Sequence, residues 1–320
     1  MFQFVWWSAN SGRSLVKRAA FLRFLQPRSF VAILLGSLLV AGLGWGQAAA
    51  VQRSLDYVRL VRFIETGRMG YPDPTGLAFL NKSDGLLVLA PAQVAASVFK
   101  LLPVDDSFEI VRIPEAIENP LNLTYDGKTD RLLILQHETN ELIEIPAGAD
   151  GFLRSVASRR IDAGHFGVSD PQGMTIDPES GHLFILDVVW SRILRVEPDP
   201  VSGFEQATIS EIDLQSSGLG ELELRGIAFD PTTGHLHLLD PKMLRLYEVT
   251  DTGVVEANRD VSDFGLRNSQ GMVFAPGGDL TDDPSNMSLY IANGGDQGSA
   301  TSSGEQRVVN GGISELSVAR

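Results

Sequence analysis

The residues best suited to contact a ligand stand at five equivalent positions of an internal repeat, at or directly before a recurring glycine. They differ strongly in chemical type, whereas the apolar positions that flank them hardly vary. Repeat proteins place ligand contacts at such variable positions on an otherwise constant frame. Arg225 is the anchor that we expect for an anionic group, because a guanidinium offers a forked set of donors. The candidate ligand-binding residues are Thr75, Asn122, Gln172, Arg225 and Gln270.

Metal chemistry at these positions is disfavoured by the residue types. A hard cation needs several oxygen ligands, typically with carboxylates among them. The residues that precede the glycine position include no acid, one apolar residue and one cation; they are Thr75, Leu121, Gln172, Arg225 and Gln270. We therefore predict no metal site and no cofactor, with Ca²⁺ retained only in the alternative function given below.

Two aspartates and two histidines recur at fixed positions of the repeat. Asp187 and Asp240 end equivalent strands. A catalytic acid–base pair is one interpretation, but a residue that recurs in this way is more often a turn-former that accepts backbone hydrogen bonds. His182 and His235 follow equivalent glycines, and His237 would share one strand face with His235. Structural histidines are favoured over metal ligands here.

Two acidic stretches, Asp126–Asp130 and Asp279–Asp283, contain several potential oxygen ligands for Ca²⁺. Neither has the length or the terminal Glu of a dedicated calcium loop, so ordinary turns are preferred. The chain contains no G-x-S-x-G nucleophile elbow and no phosphate-binding P-loop. The sequence therefore identifies no catalytic residue and leaves open whether the chain is an enzyme.

The elements that must position these residues follow from the repeat itself. Five copies of one phrase occur, a glycine followed by two short apolar strands and the turn between them. The first four are TGLAFLNKSDGLLVLA from Thr75, LNLTYDGKTDRLLILQ from Leu121, QGMTIDPESGHLFILD from Gln172 and RGIAFDPTTGHLHLLD from Arg225. A fifth copy begins QGMVFAPGGD at Gln270 and carries an insertion before its second strand. The period-two patterning and the roughly 45–50-residue spacing are typical of propeller blades.

Counting strands predicts how the ring closes. Each repeat supplies four strands, except that the fifth ends at its third strand, ISELSV. An unassigned strand, Tyr57–Glu65, precedes the first repeat and would complete the last blade from outside. Closure of this kind removes exposed sheet edges. We therefore predict an all-β, five-bladed β-propeller whose last blade is closed by the N-terminal strand; six blades are less expected.

The repeat G-x-A-x-D-P-x-S/T-G-x-L followed by R-I-x-x-V resembles NHL-type repeats and the senescence-marker-protein/gluconolactonase-like propellers. The resemblance covers about Tyr57 to Val318. It implies a propeller fold, but it says little about activity, because such propellers include binding modules, lyases and lactonases. In the lactonase-like enzymes, carboxylate and Asn side chains near the start of the innermost strands hold a divalent metal. Five copies are a departure, since these relatives commonly have six blades.

The first 50 residues are unlike the rest of the chain. They contain five basic residues and no acid, then an apolar run, Phe30–Gly44, and the small-residue end Ala48–Ala50. These are the parts of a secretory signal peptide, and the run is short for a membrane span. We predict a signal peptide over residues 1–50, cleavage after Ala50 and a propeller domain over 51–320. A retained membrane anchor is the alternative.

Charge and composition limit the classes of partner that we expect for this protein. The formal net charge is −14, and the leader carries basic residues only, so the remainder is more acidic still. Such a surface repels nucleic acid and anionic lipid. The chain has no Cys, so disulfides do not hold the fold together. We expect a monomer in the periplasm or outside the cell, with membrane contact only through an uncleaved leader.

Two functions from different classes remain. The leading hypothesis is an exported recognition module that binds a small-molecule, glycan or protein ligand at the channel mouth. The alternative is a hydrolase, a lactonase- or phytase-like esterase that Ca²⁺ could assist.

Overall fold

The computed structural model describes residues 57–90, 97–111, 113, 117, 119–147, 158–278, 286–295 and 311–319. Across them the chain forms twenty β-strands in five four-stranded antiparallel sheets. The predicted all-β, five-bladed propeller is therefore confirmed. None of the helices in these ranges has the length and hydropathy needed to cross a membrane. The predicted signal peptide, residues 1–50, and the stretch Asp279–Asp283 lie outside the described residues.

Each blade runs outward from its innermost strand. The first blade contains β2 (Gly76–Leu80), β3 (Gly85–Ala90), β4 (Ser97–Leu101) and β5 (Phe108–Val111). The second contains β6 (Pro120–Asp126), β7 (Arg131–Gln136), β8 (Glu141–Pro146) and β9 (Arg159–Asp162). The third contains β10 (Pro171–Ile176), β11 (Leu183–Asp187), β12 (Arg192–Asp199) and β13 (Gly203–Asp213). The fourth contains β14 (Gly226–Phe229), β15 (Leu236–Asp240), β16 (Arg245–Val249) and β17 (Val255–Asp260).

The fifth blade joins the two ends of the propeller. It contains β18 (Met272–Pro276), β19 (Met287–Asn293), β20 (Gly312–Val318) and, outermost, β1 (Val58–Ile64). Strand β1 pairs antiparallel with β20 from Val58 opposite Val318 to Ile64 opposite Ile313. Closure by the N-terminal strand, predicted from the strand count, is confirmed.

A buried ion pair fastens the closing strand. Arg62 Nε on β1 donates to Glu315 Oε2 on β20 at 2.7 Å, and the Glu315 side chain is 1% exposed. The same guanidinium pairs with Asp106 Oδ1 at 3.0 Å and donates to the carbonyl of Pro103. Both acceptors lie in the hairpin of the first blade. Arg62 therefore ties the closing strand to the last blade and to the first.

In the third and fourth blades, the turn between the first two strands is built from the sequence phrase D-P-x-x-G. The Gly181 N–H donates to the Asp177 carbonyl at 2.8 Å, and Gly181 has a φ of +80°. The equivalent Gly234 donates to Asp230 at 2.8 Å with a φ of +75°. A left-handed conformation of this kind favours glycine. The phrase thus sets the hairpin that follows the innermost strand in the third and fourth blades, whose repeats contain it.

The apolar core lies between blades and not along the axis. Five clusters of buried apolar residues each join two neighbouring blades, and the second strands are almost wholly buried. In the cluster between the last and the first blade, for example, Ile64 and Tyr290 of the last blade pack with Phe99 of the first. Each blade therefore depends on its neighbours for burial, as the repeat predicted.

Candidate functional site

The five innermost strands follow one size gradient from start to end. The first position holds Gly76, Asn122, Gly173, Gly226 and Gly271. Two residues on, the side chains are small or β-branched: Ala78, Thr124, Thr175, Ala228 and Val273. The fourth position holds large apolar residues: Phe79, Tyr125, Ile176, Phe229 and Phe274. We call the end with the first set the entry face and the end with the last set the exit face.

At the entry face the backbones of neighbouring blades are in contact. A Cβ added to Gly271 would lie 2.5 Å from the Thr75 carbonyl oxygen and 2.6 Å from Gly76 Cα. A Cβ on Gly226 would lie 2.7 Å from the Gln270 carbonyl oxygen. Glycine is therefore required here by close approach, not by its dihedral freedom. The innermost strands of neighbouring blades thus approach each other closely at this end.

Asn122 takes the glycine position in the second blade and is 2% exposed. Its Nδ2 donates to the Met174 carbonyl in the third blade at 3.4 Å, and its Oδ1 accepts the Leu123 N–H at 2.7 Å. The side chain faces the axis, as the sequence suggested, but it joins two blades. These contacts leave the amide little freedom to hold a ligand.

The other four candidates each come directly before the glycine position of an innermost strand, at the entry face. Thr75, Gln172 and Gln270 are half-buried, and Arg225 is exposed. The Arg225 N–H donates to the Leu239 carbonyl at 2.9 Å, which holds its backbone in the blade. Among the described residues, its guanidinium has no hydrogen-bond or ion-pair partner.

A nearby acid that could have neutralised Arg225 is already paired. Glu223 forms an ion pair with Lys242, and both side chains are exposed. The Lys242 hydrogen bond lowers the pKa of Glu223, and Arg225 adds only a weaker attraction. Among the described residues, Arg225 therefore has no ion-pair partner, whereas Lys242 does.

A hydrogen-bonded row extends from Gln172 across the entry face. Gln172 Nε2 donates to Asp170 Oδ1 at 2.9 Å, and His137 Nε2 lies 3.3 Å from the same oxygen. Next to it, the Trp190 indole N–H donates to Ser169 Oγ at 2.9 Å. Sequence reasoning missed the His137–Asp170 pair, because the two residues come from loops of different blades.

Two large apolar side chains also project from this face. Trp190 is 61% exposed and Met243 is 59% exposed. They occupy equivalent places in the turns that follow β11 and β15. The signal in the sequence was a tryptophan within a turn, where burial is not expected. Aromatic, Met and Arg side chains are enriched at binding surfaces.

Asp187 and Asp240 both accept backbone N–H groups, as the favoured interpretation predicted, but only Asp240 bonds within its own turn. Asp187 instead bonds an earlier loop and forms an ion pair with Arg192 at 3.2 Å. Asp187 is fully buried and accepts the N–H groups of Ser169 at 3.3 Å and Asp170 at 3.1 Å. Asp240 Oδ1 accepts the N–H groups of Lys242 and Met243, each at 2.9 Å. Both therefore hold the entry-face loops in place.

The recurring histidines have structural partners. His182 Nδ1 lies 2.9 Å from Arg195 Nη2, and His235 Nδ1 lies 2.7 Å from Glu248 Oε1. Burial alone would raise the pKa of Glu248, but hydrogen bonds from His235 and Arg259 lower it. His237 is 1% exposed and packs edge-on against Phe274, with centroids 4.9 Å apart. None of these contacts indicates a ligand role.

The residues do not fit a divalent metal. In the part of the chain that the structure describes, no group of three or more His, Asp or Glu residues is placed to hold an ion. Asp126 Oδ1 instead accepts the N–H groups of Lys128 at 2.9 Å and Thr129 at 3.4 Å, which is an ordinary turn. The entry-face set also lacks a carboxylate at the glycine positions.

The exit face has the opposite shape. There the innermost strands diverge around a cavity of about 210 Å³ to which all five blades contribute. Its lining includes Phe79, Tyr125, Ile176, Phe229 and Phe274. Sequence reasoning did not find this cavity, although the aromatic residue at the fourth position was visible in four of the five repeats.

Comparisons with known proteins show a similarity in fold to solved structures. No protein family and no curated protein matches the sequence. A luciferin-regenerating enzyme superposes with a TM-score of 0.47 at 10% identity, over 80% of this chain and 95% of that one. PQQ-bound aldose sugar dehydrogenase from Streptomyces coelicolor gives 0.47 at 13%, over 82% and 98%. Virginiamycin B lyase from Staphylococcus aureus gives 0.39 at 15%, over 81% and 74%. These solved structures are β-propeller proteins, and the likeness carries no argument about activity.

Proposed function

We propose that this protein is an exported recognition module that binds a ligand with an anionic group at the entry face of its propeller. The observation that carries the proposal is the Arg225 guanidinium, which is exposed and has no partner among the described residues. The polar side chains of Thr75, Gln172 and Gln270 lie around it on the same face. Together they offer a cation surrounded by uncharged donors and acceptors.

The electrostatics select for a ligand of low charge. The chain carries a formal net charge of −14, so a polyanion would be repelled at a distance. A carboxylate or phosphate that reaches Arg225 gains a bidentate, charge-assisted hydrogen bond at short range. A ligand with one or two anionic groups therefore fits this face better than a nucleic acid does.

The apolar part of such a ligand has a place to pack. Trp190 and Met243 project from the turns of the third and fourth blades, on the same face as Arg225. Trp190 is oriented by its hydrogen bond to Ser169. A sugar acid or an acidic peptide side chain could rest on the indole while its carboxylate meets the guanidinium.

One observation favours the alternative, a hydrolase. His137 Nε2 lies 3.3 Å from Asp170 Oδ1 on the entry face, which is the arrangement of an oriented general base. Both side chains are partly exposed. A screen of ester, lactone and phosphoester substrates, with and without a chelator, tests this alternative directly. Turnover that disappears in the His137→Gln variant would favour hydrolysis over recognition.

The recognition proposal is tested with a matched pair of probes, glucuronate and glucose, which differ in one carboxylate; inorganic phosphate serves as a second anion. We expect calorimetry to show tighter binding of glucuronate. The Arg225→Ala variant should lose about ten- to a hundredfold in affinity for it, since a charge-assisted hydrogen bond contributes about 1.5–3 kcal/mol. Its melting temperature should not change, because the side chain is exposed.

Lys242→Ala is the matched control. It removes an equal charge from the same face, but from a lysine that is already paired with Glu223. We expect it to change glucuronate affinity little. Equal losses in the two variants would indicate general electrostatic attraction. A lower melting temperature for Arg225→Ala with unchanged affinity would make Arg225 a structural residue and contradict the proposal.

A further inference from the structure

We infer that the exit-face cavity is a second binding site, which takes a compact, neutral, ring-shaped apolar group such as a one- or two-ring aromatic compound. The site lies at the opposite end of the innermost strands from Arg225 and does not depend on the proposed function. Three observations carry the inference: the composition of the walls with their aromatic side chains, the pairing of polar atoms at the walls, and the volume.

The walls are apolar and come from the whole ring. Among the described residues that line the cavity, none is charged. The lining residues that matter here are Phe79, Ile176, Pro178, Phe229, Pro231 and Val273. A charged ligand group would lose its hydration in this cavity and find no opposite charge. The walls therefore favour a neutral occupant.

Two of the polar groups at the cavity already have partners within the protein. Thr175 Oγ1 accepts the Phe229 N–H at 3.1 Å. The Tyr125 hydroxyl donates to Asp130 Oδ1 at 2.8 Å. Burial and this hydrogen bond raise the pKa of Tyr125, so the phenol stays neutral. These hydroxyls therefore place no strong demand for polar groups on the occupant.

The lining residues also favour a ring-shaped occupant. Among the described residues at the cavity, Phe79, Tyr125, Phe229 and Phe274 carry aromatic rings, and they come from four different blades. A short, flat ring system can contact several of these side chains at once.

The volume of the cavity explains why binding of an apolar group would lower the free energy. A cavity of about 210 Å³ has room for several water molecules, since each takes about 30 Å³ in the liquid. Water against these walls finds few hydrogen-bond partners, so its replacement by an apolar group is favourable. The same volume suits the ring system of a one- or two-ring compound.

Val273 offers a direct test, because it lines the cavity, is half-buried and has no polar atom in its side chain. The probe is indole, with indole-3-acetate as its anionic counterpart, titrated calorimetrically into the full chain. We expect saturable binding of indole and at least about tenfold weaker binding of indole-3-acetate. Val273→Phe fills the cavity and should abolish indole binding.

Two further variants keep the result interpretable. Val273→Ala widens the cavity at the same residue and should preserve indole binding. Val254→Phe adds the same ring to an exposed turn, where Val254 is 55% exposed, and should change nothing. The inference is overturned if indole does not bind, if the acetate binds equally well, or if Val273→Phe binds indole like the wild type while folded.

Discussion

The two ends of the innermost strands differ although the same five strands form both. At the entry face glycines bring backbones into contact, and the exposed chemistry is polar, with Arg225 as its cation. At the exit face large apolar side chains, four of them aromatic, line a cavity to which all five blades contribute. The two ends of one set of strands therefore present different surfaces. A propeller of this kind can offer two binding chemistries without any change of fold.

The difference has a simple physical origin. Strands around an axis can approach only as closely as their axial side chains permit. With no Cβ at the first position, carbonyl oxygens and Cα atoms of neighbouring blades meet, as at Gly271 and Thr75. At the fourth position the side chains are large and apolar, and they also pack between blades, as Phe274 does against His237. The types of residue along each innermost strand therefore distinguish the two ends.

The largest expected effect on stability comes from weakening the closure of the ring of blades, because the binding sites at both ends depend on a closed ring. Arg62→Ala removes the cationic partner of Glu315, whose side chain is 1% exposed and also accepts the Gly278 N–H. Breaking a fully buried ion pair typically costs about 3–5 kcal/mol; because Arg62 is partly exposed and Glu315 keeps this hydrogen bond, we expect about 2–3 kcal/mol. Chemical denaturation should show a loss of this size and weaker binding at both faces.

Arg59→Ala is the control on the same strand, because Arg59 is exposed and should cost little. Deletion of Tyr57–Glu65 is the limiting case, and we expect aggregation or loss of cooperative unfolding. A truncated chain that stays monomeric and melts like the wild type would contradict closure by β1.

A second prediction compares one methyl group at each end. Gly271→Ala at the entry face places a Cβ against the backbone of the first blade, which cannot move without the blade. Gly127→Ala at the exit face places the Cβ against Asn81 Nδ2, the tip of a side chain that can rotate away. We expect about 2–3 kcal/mol of destabilisation at Gly271 and less than about 0.5 kcal/mol at Gly127. Equal losses in urea denaturation would show that both ends are equally tight.

The sequence predicted the architecture well because a propeller is a covalent repeat. The glycine phrases showed where each innermost strand begins, and the strand count predicted that Tyr57–Glu65 closes the last blade. The structural role of Asp187 as an acceptor of backbone N–H groups could also be predicted, because an Asp recurs at the equivalent position, Asp240. These are local or counted properties, so no distance between blades was needed to infer them.

The candidate site was less predictable for the same reason. The axial position of Asn122 suggested ligand contact, but its bond to Met174 depends on the spacing between two blades. His137 and Asp170 meet only when the loops of those blades are placed side by side. The exit cavity likewise depends on how far five strands diverge, a property of the ring and not of one repeat.

The central claim is that the two ends bind different chemistries independently, and one crossed titration tests it most directly. Glucuronate and indole are each titrated into the wild type, Arg225→Ala and Val273→Phe. We predict that Arg225→Ala loses glucuronate binding and keeps indole binding, while Val273→Phe does the reverse. If either variant weakens both probes while its melting temperature is unchanged, or if both probes compete for one site, the two-ended account is contradicted.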